Sequence, residues 1–495
     1  MADAKFVQED EDRAEQGSFE SLNIDSKALD DYNTAVRVLD IKQMVGMIYF
    51  GVCGGVAGSE GLVGGIGPGL GLLLIVVYPV VIGLPVMLCS AELSSAFPNA
   101  GGFVWWVRSS FGYRVGFIAG IWNYLGMLTD TALYPTMFVS YTMDAFPGSL
   151  AATLSGSYPL RVLVKICFSI VFNIAILKGV ETAGRGIFVA GIIVLSPLVL
   201  LTLWGFLFSE GTMDWGRLAG GPDPNADSER LVTYLNMLYW SFSAFDQASL
   251  VASDVKNPQK TYPKASFYSL VLIISTYLFP LMVAAGVVDD WRTIKEGSIV
   301  NVARIVGGET MTALVFISTL VSCAGLFLTT MLETIFLLLG MSEAKMAPRV
   351  FQSRSKANNV PNNAAYLTMG ICLTLCLFDF GVILRLTNIV SAASMLLEVM
   401  AVIKLRVYDP DLDRPYRVPI DSTYGIIIFL LPCLLMNVLF MLISFVSNPW
   451  ILVTFIIVTC LSLLLSRCTN ATIESGNDKI IGMGFTELAG EESLE

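Results

Sequence analysis

Residues 51–61 read Gly51-Val52-Cys53-Gly54-Gly55-Val56-Ala57-Gly58-Ser59-Glu60-Gly61, which places five glycines, a serine and a glutamate inside an apolar segment. A glycine in a helix costs about 1 kcal/mol relative to alanine, and a charged side chain in a bilayer is costly as well. We therefore expect the helix that begins near residue 41 to be interrupted here. Close helix packing through small residues is the alternative. It explains Gly54 and Gly58, but not the neighbouring Glu60.

A second apolar segment, 231–252, is polar at its middle, which reads Tyr239-Trp240-Ser241-Phe242-Ser243-Ala244-Phe245-Asp246-Gln247-Ala248-Ser249. Irregular backbone at membrane depth is tolerated only where it is buried in protein or lines a wet cavity. The two interrupted segments are the first and the sixth, so a five-helix repeat relates them and inverts the second copy. Broken helices that cross in opposite directions and meet near the midplane are typical of inverted-repeat secondary transporters.

The composition of the whole chain supports a membrane location. Of its 495 residues, 55% are hydrophobic and 14% are charged, whereas about 25% are charged in soluble domains. This excludes a soluble enzyme, a nucleic-acid-binding protein and a disordered scaffold. Apolar runs long enough to cross a ~30 Å hydrocarbon core predict about twelve spans. They lie near residues 41–62, 69–96, 115–143, 161–178, 187–208, 231–252, 266–288, 308–340, 364–380, 383–405, 424–446 and 449–466.

Charge is distributed unevenly along the chain. The net charge of −11 arises in the ends, because residues 1–31 carry −7 and residues 471–495 carry −5. We expect residues 1–40 and 467–495 to be disordered, solvated tails. With the N-terminus inside, the inner loops hold fifteen lysines and arginines and the outer side holds eight. This bias predicts that both termini are cytoplasmic, and the plasma membrane is the expected location.

Residues for catalysis or for binding metals are scarce. The chain has no histidine, and most of its nine cysteines lie in apolar runs, with no pair at CxxC spacing. We expect no catalytic residues, no metal site and no cofactor.

Several motifs resemble the amino acid–polyamine–organocation (APC) superfamily. Residues 253–265, from Ser253-Asp254-Val255-Lys256-Asn257-Pro258 onward, are similar to its cytoplasmic loop signature. Four other stretches resemble its eukaryotic polyamine and L-type branch, namely 91–102, Asp130-Thr131-Ala132-Leu133-Tyr134-Pro135, 338–348 and Arg414-Pro415-Tyr416-Arg417-Val418-Pro419. The resemblance covers residues 41–466. It implies an all-α membrane protein with a LeuT-like fold, in which inverted five-helix repeats (41–208 and 231–405) with discontinuous helices 1 and 6 precede two extra helices (424–466).

The resemblance also bears on the substrate. Amino-acid members hold the substrate carboxylate on free N–H groups of the first break, whereas Glu60 here makes the break similar to that of polyamine-uptake transporters of plants and protozoa. Phe245-Asp246 matches the aromatic–Asp pair of their helix six, and Asp130 to Pro135 matches their helix three with Thr131 in place of asparagine. The L-type exchangers tether a partner through a cysteine in their second outer loop. Segment 144–160 has none, so we expect no disulfide-linked heavy chain.

These patterns predict a binding site for a small cation. Its expected residues are Gly54, Gly58, Ser59, Glu60, Asp130, Tyr134, Trp240, Phe245 and Asp246. Carboxylates at half-helix N-termini convert an anion-attracting position into a cation-attracting one, although helix capping is the alternative role of Glu60 and Asp246. The aromatic residues, Trp122 among them, would offer ring faces to an ammonium group or simply pack.

The coupling ion is predicted to be a proton carried by Glu60, Asp130 or Asp246. A sodium site would instead use hydroxyls of the eighth span, Ser318, Thr319 and Ser322. Glu92 lies near an inner border, where we expect a gating or solvated position, and Glu333 and Glu398 lie near inner helix ends and are interpreted as structural or gating residues. The predicted function is polyamine import by alternating access. A cationic or neutral amino acid transporter of the same fold and a non-transporting nutrient sensor are the alternatives.

Overall fold

The computed structural model describes residues 37–56, 58–145, 149–208, 213–221, 228–295, 297–355, 358–377, 380–447, 449–467 and 469. The chain divides into Met1–Arg37 and a second unit, Val38–Glu495, and the fold described below belongs to the second unit. The predictions made for the two tails fall almost entirely outside the described residues.

The described chain is all-α, as predicted, and its only β-type pairing is an isolated bridge between Leu39 and Val255. In chain order the helices are α1 (Ile41–Val52), α2 (Gly61–Gly64), α3 (Pro68–Ala96), α4 (Phe103–Phe111), α5 (Tyr113–Ala145), α6 (Ser149–Gly156), α7 (Tyr158–Leu177), α8 (Val180–Phe208), α9 (Ser228–Ser241), α10 (Pro258–Val287), α11 (Ser298–Glu343), α12 (Asn362–Leu375), α13 (Phe380–Tyr408), α14 (Thr423–Ser447) and α15 (Pro449–Arg467).

Each predicted span overlaps helical structure in the described chain. By length and composition alone, eight of the described helices are able to cross a membrane, and α1 is a shorter apolar helix. Three helices begin well before their predicted spans, α8 at Val180, α10 at Pro258 and α11 at Ser298. The early start of α11 is separated from its membrane portion by a kink at Gly307 and Gly308.

The first predicted interruption is confirmed. Helix α1 ends at Val52, and helical structure resumes only at Gly61. Between them the backbone enters the left-handed region, with φ of 61° at Gly54 and 84° at Gly58. A Cβ atom on Gly54 would lie 2.5 Å from Leu326 of α11. Glycine is therefore required there both for its backbone conformation and for space.

The second predicted interruption is confirmed as well. Helix α9 ends at Ser241, and Ala244 has a φ of 66°, which is uncommon for a residue with a side chain. The chain then continues as a 3₁₀ helix, Gln247–Asp254, in which every residue is buried. The polar middle of this segment is thus enclosed by protein, as irregular backbone at membrane depth must be.

Four long helices pack around the two breaks. Helix α11 packs closely against α5 and α8, and α13 packs along α5. The outer helices expose large apolar side chains, such as Val171 of α7, Leu203 of α8 and Leu435 of α14. Extended apolar exposure of this kind is expected of a surface that faces lipid.

Candidate functional site

A small cavity lies between the two helix breaks. The end of α1 and the start of the first break contribute Gly51, Val52 and Cys53 to its wall. Its other lining residues are Gly126, Asp130 and Tyr134 of α5, Trp240, Ser243, Ala244 and Gln247 of the second break, Leu326 of α11, and Thr387 and Ser391 of α13. Three of the predicted site residues, Asp130, Tyr134 and Trp240, therefore line one cavity.

Asp130 is the one carboxylate among these lining residues. Tyr134 lies one helical turn further along α5, and its hydroxyl donates to Asp130 Oδ2 at 2.6 Å. The indole Nε1 of Trp240 donates to Asp130 Oδ1 at 2.9 Å. Both donors hold the carboxylate in a fixed orientation, and neither supplies a positive charge.

Glu333 of α11 lies beside Gly51, which is one of the residues that line this cavity. A Cβ atom on Gly51 would lie 3.8 Å from Glu333 Oε1 and 3.9 Å from Glu333 Oε2, an ordinary van der Waals distance, so this carboxylate lies directly beside the end of α1. The residue is fully buried, and neither of its carboxylate oxygens has a hydrogen-bond donor in the described chain. Sequence reasoning interpreted Glu333 as structural or gating, and its proximity to the cavity was not predicted.

Asp246 faces Glu398 of α13 rather than the cavity. The two carboxyl groups lie within hydrogen-bonding reach of each other. Asn123 Nδ2 donates to Glu398 Oε1 at 3.1 Å, whereas Glu398 Oε2 and Asp246 Oδ1 have no donor among the described residues. Asp246 precedes the 3₁₀ helix without making a side-chain capping bond.

The buried charge around the cavity has one sign. Asp130, Asp246, Glu333 and Glu398 are all buried, and none of them forms an ion pair within the described residues. The two buried basic residues of the described chain bind elsewhere. Lys165 donates to the Cys376 carbonyl at 3.1 Å, and Arg406 pairs with Glu92.

Glu92 is a buried carboxylate that, unlike these four, has basic partners. Glu92 accepts from Arg406 Nε at 2.7 Å, lies 3.2 Å from Arg414 Nε, and accepts the Val418 N–H at 2.8 Å. A carboxylate paired in this way is a structural element. The four carboxylates around the cavity have no basic partner of this kind among the described residues.

Glu60 lies outside the cavity wall. Its Oε2 accepts the Gly58 N–H at 3.0 Å, and its Oε1 accepts the Gly297 N–H, also at 3.0 Å, just before α11. The carboxylate therefore joins the first break to the loop that precedes α11. Glu60 precedes α2 without making a side-chain capping bond, so its carboxylate bridges two backbone segments and neither caps this helix nor lines the cavity.

The remaining predicted residues shape the break or pack nearby. The Ser59 hydroxyl donates to the Val56 carbonyl at 2.7 Å. Phe245 packs against Gly83 of α3 and lines a second small cavity. A Cβ atom on Gly58 would lie 3.0 Å from Trp240, so this glycine gives the indole its position. Trp122 packs on Phe455, with 5.0 Å between the ring centroids.

The hydroxyls considered for a sodium site bind protein carbonyls. Ser322 donates to the carbonyl of Gly54 in the first break, and Ser318 donates to the Val194 carbonyl at 2.8 Å. Thr319 donates within its own helix to Val315. Ser322 thus does face the first break, but as a donor that already occupies a carbonyl oxygen.

Two broken helices around a buried, anionic cavity define a membrane transporter built on discontinuous helices. The family model described as amino acid permease matches residues 44–462, and the chain belongs to this family, as the predicted APC resemblance implies. It is a transporter and not an enzyme.

Two plant proteins that are similar to this chain are named as polyamine transporters. It is 32% identical over 422 residues to a probable polyamine transporter of Arabidopsis thaliana, an alignment that covers 82% of each chain. It is 31% identical over 410 residues to a polyamine transporter of Oryza sativa subsp. japonica, covering 81% of this chain and 72% of the relative. Solute carrier family 7 member 12 of Mus musculus is 23% identical over 361 residues, covering 68% of this chain and 72% of the relative.

Proposed function

We propose that this chain imports polyamines, small cations such as putrescine and spermidine, by alternating access. The observation that carries the proposal is Asp130, a buried carboxylate in the cavity wall with two neutral donors and no basic partner in the described chain. The names of the plant relatives support the same substrate class.

An ammonium group fits the chemistry of this cavity. A cation 4 Å from Asp130 gains about 4 kcal/mol at an effective dielectric constant of about 20, before its desolvation is subtracted. The rings of Tyr134 and Trp240 offer aromatic faces beside the carboxylate. Glu333 lies behind Gly51 and offers a second negative charge to a substrate with two amino groups.

An amino acid substrate fits less well. A substrate carboxylate requires free donors at the first break, but Glu60 already accepts the Gly58 N–H there. The substrate carboxylate would also approach the carboxylate of Glu333, which has no hydrogen-bond donor among the described residues. Cationic amino acids are the second candidate, because the family model that matches the chain is that of amino acid permeases.

The proposal includes an inverted five-helix repeat, proton coupling, a plasma-membrane location and cytoplasmic termini, and it requires no disulfide-linked heavy chain. The lysine and arginine bias of fifteen inner against eight outer residues supports the orientation. Reporter tags at both termini should be detected in cells only after permeabilisation, and a tag detected on intact cells would contradict this orientation.

Purified protein in liposomes tests the substrate. Labelled putrescine and spermidine should enter and should compete with each other, whereas labelled arginine and leucine should not enter. Asp421→Asn is a control, because this exposed acid lies outside the cavity wall and its substitution should leave uptake unchanged. Uptake of arginine alone would favour the amino acid transporter, and binding of a polyamine without uptake would favour a sensor.

A further inference from the structure

We infer that Asp246 and Glu398 together form the site that binds the transported proton, separate from the cavity that binds the substrate. The inference rests on the proposed function. It is based on the two facing carboxyl groups, each in a residue that is only 4% exposed.

The environment of the Asp246–Glu398 pair favours one shared proton. Glu398 Oε1 is occupied by the Asn123 amide, but Glu398 Oε2 and Asp246 Oδ1 are buried without a donor in the described chain. A single proton bound between the two carboxyl groups satisfies both unpaired atoms. Two carboxylates that share a buried site do not both ionise readily, because each charge disfavours the other.

Among the residues that the structure describes, none near the pair supplies a positive charge. The titratable groups that interact with the pair are Tyr239 of α9 and Glu333 of α11, and Glu333 in turn interacts with Asp130. The Tyr239 hydroxyl donates to Asn437 Oδ1 at 2.8 Å. Loss of the proton therefore leaves two negative charges beside a third, with no lysine or arginine among the described neighbours to balance them.

The position of Asp246 links this proton to the substrate cavity. Ala244 and Gln247, on either side of Asp246 in the same irregular segment, line the cavity. The backbone carbonyl of Asp246 accepts from Ser90 of α3 at 3.4 Å, which holds the segment in place. A second negative charge on the pair favours entry of water and displacement of this segment, so the cavity wall moves when the proton leaves.

The bound proton can be followed through one transport cycle. On the outer side an O–H bond of a hydronium ion breaks, a water molecule leaves, and a new O–H bond forms on one oxygen of the pair, which then carries one negative charge. On the inner side this bond breaks, the proton passes to water, and the pair carries two negative charges until it is protonated again from outside. Each cycle moves one proton inward with the substrate.

Two transport assays on the full-length protein in liposomes separate proton coupling from substrate binding. Counterflow measures exchange of labelled putrescine for internal putrescine at equal pH. Accumulation is measured with an inward proton gradient and the membrane potential clamped at zero. A gradient of about one pH unit supports up to about tenfold accumulation per coupled proton.

For Glu398→Gln we expect counterflow close to that of the unsubstituted protein. Accumulation should fall to an internal-to-external ratio of about 1, and acidification of a trapped pH-sensitive dye on adding putrescine should disappear. Asp246→Asn should also lose accumulation, and the double variant should accumulate no less than either single variant. Asp421→Asn, at an exposed position, should retain both activities.

Several outcomes overturn the inference. Accumulation and dye acidification that persist in Glu398→Gln show that the proton binds elsewhere. Loss of counterflow in a monodisperse Glu398→Gln protein assigns Glu398 a structural or substrate role.

Failure of counterflow in the unsubstituted protein contradicts the proposed substrate instead. The proton site is then tested without substrate by infrared spectroscopy. The carbonyl stretch of a protonated carboxyl group, sensitive to deuterium exchange, should be present in the unsubstituted protein and lost in Glu398→Gln. If this carbonyl stretch were retained in Glu398→Gln, the proton could not be bound by the Asp246–Glu398 pair.

Discussion

Trp240 Nε1 donates a hydrogen bond to Asp130 Oδ1 at 2.9 Å, and this contact joins the end of α9 to the middle of α5. The two residues are far apart in sequence, and both line the cavity between the helix breaks. The indole positions the carboxylate without neutralising it. The bond therefore leaves the charge of Asp130 available to a cationic substrate.

Removing that charge should weaken polyamine binding. For Asp130→Asn we expect the putrescine dissociation constant to rise at least about tenfold, since an ammonium–carboxylate contact is worth several kcal/mol before desolvation. Tyr134→Phe removes one hydrogen bond but keeps the charge, so it should have a smaller effect. Equilibrium binding of labelled putrescine to purified protein measures both. Unchanged affinity in Asp130→Asn would show that the substrate binds elsewhere.

Glu333 should distinguish diamines from monoamines. If the second amino group of a diamine approaches Glu333 near Gly51, Glu333→Gln should weaken putrescine binding at least about tenfold and butylamine binding much less. Competition of both amines with a labelled substrate measures the two affinities. Equal losses for the two amines would argue against a second anionic contact.

Substitution of Glu60 should lower the free energy of unfolding more than it lowers the affinity for putrescine. Glu60→Gln retains one acceptor oxygen, but its amide group replaces the other and leaves the N–H of Gly58 or of Gly297 without its charged acceptor. We expect a loss of about 1–3 kcal/mol in the free energy of unfolding. Thermal unfolding in detergent, compared with Glu309→Gln at an exposed position, measures the effect. A stable variant with much weaker putrescine binding would restore Glu60 to the substrate site.

The first break should tolerate no side chain at Gly54. In Gly54→Ala the new Cβ atom lies 2.5 Å from Leu326 and the residue must keep a φ of 61°. We expect destabilisation by more than about 1 kcal/mol together with impaired uptake. Gly370→Ala is the matched control, because a Cβ atom there meets nothing within 4 Å and the residue is helical. Normal unfolding temperature and uptake in Gly54→Ala would contradict the strained geometry.

The sequence by itself determined the class of fold and the places where it is interrupted. Apolar runs of spanning length identify membrane helices because every residue in lipid must be apolar or satisfied locally. The glycines from Gly51 to Gly61 and the polar stretch near Asp246 break that rule within a few residues, so both breaks are visible without tertiary contacts. For the same reason the cavity residues Asp130 and Trp240 could be selected, since each is a polar or amphipathic group in a spanning segment.

Only the tertiary structure decided which acids share an environment. In sequence Glu60, Asp246, Glu333 and Glu398 are alike, each an isolated carboxylate in or beside an apolar segment. Packing gives Glu60 two backbone donors, brings Glu398 to Asp246, and places Glu333 behind Gly51. These contacts join helices separated by many residues, and no local pattern encodes them. The role of a buried charge depends on the neighbours that replace its water, and those neighbours exist only after the helices have packed.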